Sequence, residues 1–133
     1  MKKDIHVPEV KDIAIAIVEE KIKEGKEWVV YLLNMKDSPI NDTLVSSKGY
    51  GEIDQKKKKT TFFSHYLETL ESQSFKKIEI INESVFGLTN EFFLTYYIDG
   101  VIHDKKYIFL PETIIQDNKT NVPLLNKKGI MIK

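Results

Sequence analysis

The chain has 133 residues, 41% hydrophobic and 30% charged, with 20 basic residues balanced by 20 acidic ones and no cysteine. This describes one ordinary globular domain over residues 1–133, able to bury about two-thirds of the surface its unfolded form exposes without disulfide or metal staples. The missing cysteine excludes thiolate nucleophiles, thiolate zinc sites and iron–sulfur clusters, and the zero net charge removes any global attraction to nucleic acid or acidic membranes.

All the basic residues are lysine. The bidentate recognition of carboxylate, phosphate and guanine that arginine provides would therefore need lysine or backbone substitutes. At the N-terminus Lys2 and Lys3 are followed at once by Asp4, and the first apolar run, Ile13 to Val18, has six residues between Asp12 and Glu19. That run is too short and too acid-flanked for an export or membrane segment, so the expectation is a cytoplasmic protein without a membrane partner.

Along the chain, Asp12 to Glu19 alternates with three isoleucines on one face and small residues on the other, which predicts a strand with its Ile face inward. The lysine-rich stretch containing Gly25 closes it. Trp28 to Leu33 is apolar on both faces and reads as an interior strand, with Asn34 to Asn41 as the turn after it. Leu44 to Ser47 predicts a shorter strand running into a bend or bulge at Gly49-Tyr50-Gly51, and Lys56 to Lys59 a solvated hairpin loop.

Thr60 to Leu70 mixes helical and strand spacing; a strand that turns irregular near Glu68 is preferred. Phe75 to Ile81 carries enough β-branching for a strand. Phe92 to Ile98 and Val101 to Leu110 flank Asp99-Gly100, a strong two-residue hairpin signal, and Pro111 ends the second arm. The tail 112–133 is too apolar to be disordered and is expected to pack back on the body. The total is about seven strands in an all-β sandwich, with core strands over about residues 10–111.

The Asn34…Pro39-Ile40…Leu44-Val45 spacing and the later Leu67…Leu70…Ser74-Phe75…Ile78 spacing resemble those of immunoglobulin-like sandwich modules. That resemblance implies the architecture only, because the Cys and Trp pair of antibody domains is absent. The segments Val45 to Gly51 and Pro123 to Gly129 resemble those of a group of short bacterial proteins without an established activity, which carry the name of a phenylalanine–tRNA ligase alpha subunit. A class II ligase resembles a large antiparallel sheet with arginines that hold ATP and the adenylate. This chain has no arginine and is far shorter, so the name is misapplied and implies no site residues.

Catalytic constellations are not apparent. His6 lies in a polar terminal segment, His65 stands three before Glu68, and His103 precedes Asp104, but no two histidines share a metal-ligand spacing. Ser46 and Ser47 lack the nucleophile-elbow glycines, and the glycines at 49, 51 and 129 lack the spacing of a phosphate loop. Paired carboxylates such as Glu19-Glu20 read as solvated charge. No cofactor is expected.

Two binding surfaces remain. On Phe92 to Ile98, Phe92, Leu94, Tyr96 and Ile98 share one face while Phe93, Thr95 and Tyr97 share the other, so large rings lie on both. One face belongs in the core and the second needs a cover, for which the tail is the first expectation. The leading functional expectation is a non-catalytic protein-interaction or assembly module, with a protein partner or a second copy, working through Phe93, Tyr97 and Tyr107 and helped by an exposed edge strand. The rival is a small-ligand or nucleic-acid binder using Lys48, Tyr50 and the loop Lys56, Lys57, Lys58 and Lys59, with lysines neutralising phosphate beside aromatic rings.

Overall fold

The computed structural model describes residues 8–60 and 62–133; His6 lies outside them. The alternation read at the start of the chain becomes β1 (Ile13–Ile22), which pairs along its whole length with β2 (Gly25–Asn34). Ile13, Ile15 and Ile17 of β1 and Trp28, Val30 and Leu32 of β2 all point to one side, and cross-strand neighbours on that side form a single apolar sheet face. The first sheet is completed by β6 (Ser74–Ile81), β9 (Thr120–Val122) and β10 (Lys127–Ile132), in the order β6-β2-β1-β10-β9.

The second sheet is built on β3 (Ile40–Ile53), which pairs on one side with β7 (Thr89–Ile98), itself paired with β8 (Val101–Phe109). On its other side β3 takes β5 (Phe63–Leu70) along its first half and β4 (Lys56–Lys59) at its end. All these pairings are antiparallel. The two sheets pack face to face as a β-sandwich, with the six inward side chains of β1 and β2 meeting Val45, Phe92, Leu94, Tyr96, Tyr107 and Phe109. Phe92 and Phe109 meet edge to face at 5.8 Å, and Tyr107 donates its hydroxyl proton to the Ile13 carbonyl at 2.7 Å, tying one sheet to the other.

The all-β sandwich, the Asp99-Gly100 hairpin and the irregularity at Glu68 agree with the sequence expectations. Asp99 and Gly100 both have positive φ, 50° and 75°, as a tight two-residue turn between right-twisted strands demands. Glu68 has φ 59° and sits where the β3–β5 register shifts on both sides of Thr43.

Several details differ. Among the described residues the chain forms ten strands rather than about seven, because the lysine run and the tail are strands too. The bend expected at Gly49-Tyr50-Gly51 does not interrupt β3, which runs on for 14 residues. Gly49 is small for another reason: a Cβ there would stand 2.8 Å from Thr60 Cγ2, where Thr60 closes on the strand through Gly49 N–H to Thr60 Oγ1 at 2.6 Å. Lys56 to Lys59 are not a loop; the turn is Asp54-Gln55, both left-handed, and the lysines form the returning arm. Gly25 opens β2 instead of closing β1.

Two expectations about the faces are corrected. Tyr107 is wholly buried, because it pairs with Phe92 and so shares the core face, not the outer face of Phe93 and Tyr97. The tail does pack on the body, but over the outside of the first sheet. There Ala14, Ala16 and Val18 leave a shallow trough, which Val122, Leu124 and Leu125 fill together with Val29, Tyr31 and Leu33.

Tyr96 and Tyr107 make contrasting predictions. The Tyr96 hydroxyl is buried without a hydrogen-bond partner among the described residues, whereas that of Tyr107 is bonded. Tyr107→Phe should cost about 1–2 kcal/mol in urea unfolding, and Tyr96→Phe should be neutral or stabilising, since it removes a polar group already desolvated without return. Burial pushes the Tyr96 phenol up to about 12 and that of Tyr107 higher still, and burial followed by the bond to Glu20 raises Tyr31 to about 12. A raised folded pKa means that the native state holds protons the unfolded state releases. Stability should therefore be intact below about pH 10 and fall as pH rises from there toward 12, measurable as a declining urea midpoint.

Candidate functional site

Among the described residues the outer face of the second sheet is the one that no other segment covers; on the first sheet Phe75 and Ile80 of β6 stay exposed beyond the tail. Period-two alternation turns Phe93, Thr95 and Tyr97 away from the core, and the registers place Leu44, Ser46 and Lys48 of β3 beside them on one side and Ile102, Asp104, Lys106 and Ile108 of β8 on the other. Tyr66 of β5 extends the row beyond Leu44 and donates to Asp42 at 2.9 Å. Phe93 is half-buried, and Leu44, Tyr66, Tyr97, Ile102 and Ile108 are exposed by 38 to 60%. Of the three residues expected to form this surface, Phe93 and Tyr97 lie on it and Tyr107 does not.

A hollow of about 260 Å³ in this face is lined by Ser46, Lys48, Phe62, Glu91, Phe93 and Lys106. Lys48 is held there by Glu91 at 3.6 Å and lies 5.7 Å from the centre of the Tyr50 ring, whose hydroxyl also bonds Glu91 at 3.3 Å. Lys48 and Tyr50 are thus brought together, but the four lysines are not gathered with them. Lys57 and Lys59 pair with Glu52 and Tyr50 and share their face, whereas Lys56 and Lys58 pair with Ile53 and Gly51 and point to the other. A run of four lysines on an edge strand also blocks further strand pairing by charge, which gives it a structural use.

The sequence reading missed one polar cluster. Glu79 of β6 points between the sheets at their rim, where its Oε1 accepts from Ser47 Oγ at 2.6 Å and lies 2.8 Å from His65 Nε2. A cleft of about 130 Å³ opens beside Ser47 and Glu79, with Phe63 and Phe92 among its walls, and the Phe63 ring stacks near His65 at 6.3 Å. Chemically the cluster is a clamp: both side chains converge on one carboxylate oxygen, so the serine proton is directed at Glu79 rather than at the imidazole, and the serine–histidine bond of a catalytic triad is not made. The registers Val30↔Glu79, Val45↔His65 and Ser47↔Phe63 bring it together across two sheets, which no linear spacing signals.

The other histidine pairings considered from sequence do not form. Glu68 stands in the bulge away from His65, and His103 stacks on Tyr96 at 4.9 Å while Asp104 points to the opposite face. Among the described residues no three His, Asp or Glu side chains converge as metal ligands, and no helix is long and apolar enough to cross a membrane. The Glu19-Glu20 pair binds the tail: Glu19 takes Lys119 at 3.0 Å, and Glu20 takes Lys127 at 2.6 Å and the Tyr31 hydroxyl at 2.7 Å. The chain matches no known protein-family model, no curated protein and no solved structure.

The bond from Lys119 holds the Glu19 carboxyl below its ordinary 4.5 against the opposing effect of burial. At Glu20 burial works upward, yet the bonds from Lys127 and Tyr31 prevail and the pKa is lowered. Carboxyls with depressed folded pKa values stabilise above about pH 4.5 and lose that contribution as pH falls through the folded values. Glu20→Gln should therefore flatten the loss of stability below pH 4.5, followed by acid titration of circular dichroism. Glu79→Ala, which strands Ser47 and His65 at the rim, should cost about 1–3 kcal/mol in urea unfolding.

Proposed function

We propose that the protein is a non-catalytic, cytoplasmic protein-interaction module whose working surface is the outer face of the second sheet. One observation carries the reading. The two sheets both have apolar outer faces, and the tail covers only the first, leaving Leu44, Tyr66, Tyr97, Ile102 and Ile108 exposed on one continuous face. Contiguous apolar surface rimmed by polar groups is where protein partners dock, with tyrosine supplying large contact area at low entropic cost. The immunoglobulin-like form expected from the Asn34 to Val45 spacing belongs to the same proposal, and the packing of two antiparallel sheets supports it.

A second reading, binding of a nucleotide or nucleic-acid strand, is favoured by the hollow that sets Lys48 and Lys106 beside Phe62 and Phe93. It ranks lower because Glu91 neutralises Lys48 and the lysine run is divided between two faces.

The test compares wild type with Tyr97→Ser/Ile102→Ser, a variant at exposed positions that should keep its stability within about 0.5 kcal/mol. Tagged chains are used for nuclease-treated and untreated pull-downs from the source cells. A discrete protein captured by wild type in both halves and lost by the variant is the expected outcome. Equal capture by both chains retires the interaction surface, and capture abolished by nuclease transfers the site to the lysine-lined hollow.

A further inference from the structure

We infer that the free edge of the second sheet takes a second copy of this chain, through antiparallel pairing of β8 with β8 about a twofold axis at Lys105. This deepens the interaction-module reading and rests on it. The observations start at the edges of the two sheets. β4 is a run of lysine, β5 is broken by the left-handed Glu68, β6 lies against a register shift at Val30/Tyr31, and β9 has three residues. Each of these features discourages an added strand. β8 has nine residues and keeps an unbroken register with β7 from Asn90↔Phe109 to Ile98↔Val101, and among the described residues no strand pairs with its other side, at the end of the sheet.

The hairpin turn sets which groups that free side offers. A two-residue loop makes Ile98 and Val101 a hydrogen-bonded pair, so every second residue from Val101 serves β7, and the backbone groups of Ile102, Asp104, Lys106 and Ile108 point outward. The same four side chains lie on the outer face. Asp104 and Lys106 have no ion-pair partner among the described residues.

Antiparallel pairing about Lys105 sets Asp104 opposite Lys106 of the second copy, and Lys106 opposite its Asp104. Ile102 then meets Ile108, twice over. Slipping by two residues in either direction brings Asp104 against Asp104 or Lys106 against Lys106, so the charges select one register. The pairing would form roughly eight backbone hydrogen bonds and join the two outer faces into one continuous sheet surface, with the two Asp104–Lys106 pairs at its centre and the Ile102–Ile108 pairs on either side. One feature opposes it: on the core-facing side the two Lys105 side chains meet at the axis, each with its ammonium 5.0 Å from the centre of its own Tyr107 ring. That repulsion makes the dimer reversible, and Lys105→Thr should tighten it.

Sedimentation of the full chain across a concentration series tests the inference, with Asp104→Lys, Lys106→Asp, the double variant carrying both, and an equimolar mixture of the two single variants. Wild type should dimerise with concentration. Each single reversal makes both ion pairs like-charged and should weaken association by at least about tenfold. The double variant restores opposite charges within one chain, and the mixture restores them between two, so both should recover the dimer. A wild type that stays monomeric, or single variants that dimerise as well as wild type, or a mixture that does not recover, overturns the inference. Circular dichroism melts confirm folding, and Asp104→Asn and Lys106→Gln provide milder variants if a reversal unfolds the chain. Because the charge variants leave Tyr97 intact and Ile102 belongs to the β8 seam, a pull-down with Tyr97→Ser alone, on β7, reports separately on the docking surface.

Discussion

The structure depends on a shortage of cover. Both sheets are built from strands with apolar side chains on both faces, and packing one sheet on the other satisfies only two of four faces. Ala14, Ala16 and Val18 give the first sheet a low outer surface, and the tail fills it with Val122, Leu124 and Leu125. The second sheet has rings and branched chains there instead, and no described segment is left to cover them. Its exposed face is a consequence of how the chain is apportioned, and that links the packing of the core to the proposed role.

Polar contacts fix how the layers sit. The Tyr107 hydroxyl on the Ile13 carbonyl and the meeting of Ser47, His65 and Glu79 each cross from one sheet to the other, the first wholly buried and the second at the rim. Glu19 and Glu20 fasten the tail through Lys119 and Lys127. Groups that suggest chemistry when met singly are taken up in these ties. The lysine run follows the same logic, since it occupies an edge where unpaired backbone would otherwise invite another strand.

Much of the architecture was legible in residue patterns. The Ile alternation of β1, the two-sided apolarity of β2 and the Asp99-Gly100 turn each report on local periodicity, which survives into the fold because the backbone repeat is the same wherever the strand lies. The placement of Tyr107 was legible too, although it was misread: the two-residue turn pairs Ile98 with Val101, and counting back sets Tyr107 opposite Phe92 on the core face. The lysine strand was harder, because a run without apolar alternation carries no strand signal and is held in place by Glu52 and Ile53 across the turn.

By itself, then, the amino-acid order determined the all-β class, the strand character of the main segments and the excess of large apolar side chains on Phe92 to Ile98, all of which follow from composition and a period of two. Only the tertiary structure decided which outer face the tail covers, that Glu79 meets Ser47 and His65, and that β8 ends its sheet. Those depend on contacts between residues far apart in the chain, and such contacts are set by which surfaces bury best together, a property of the whole sandwich that no local spacing records.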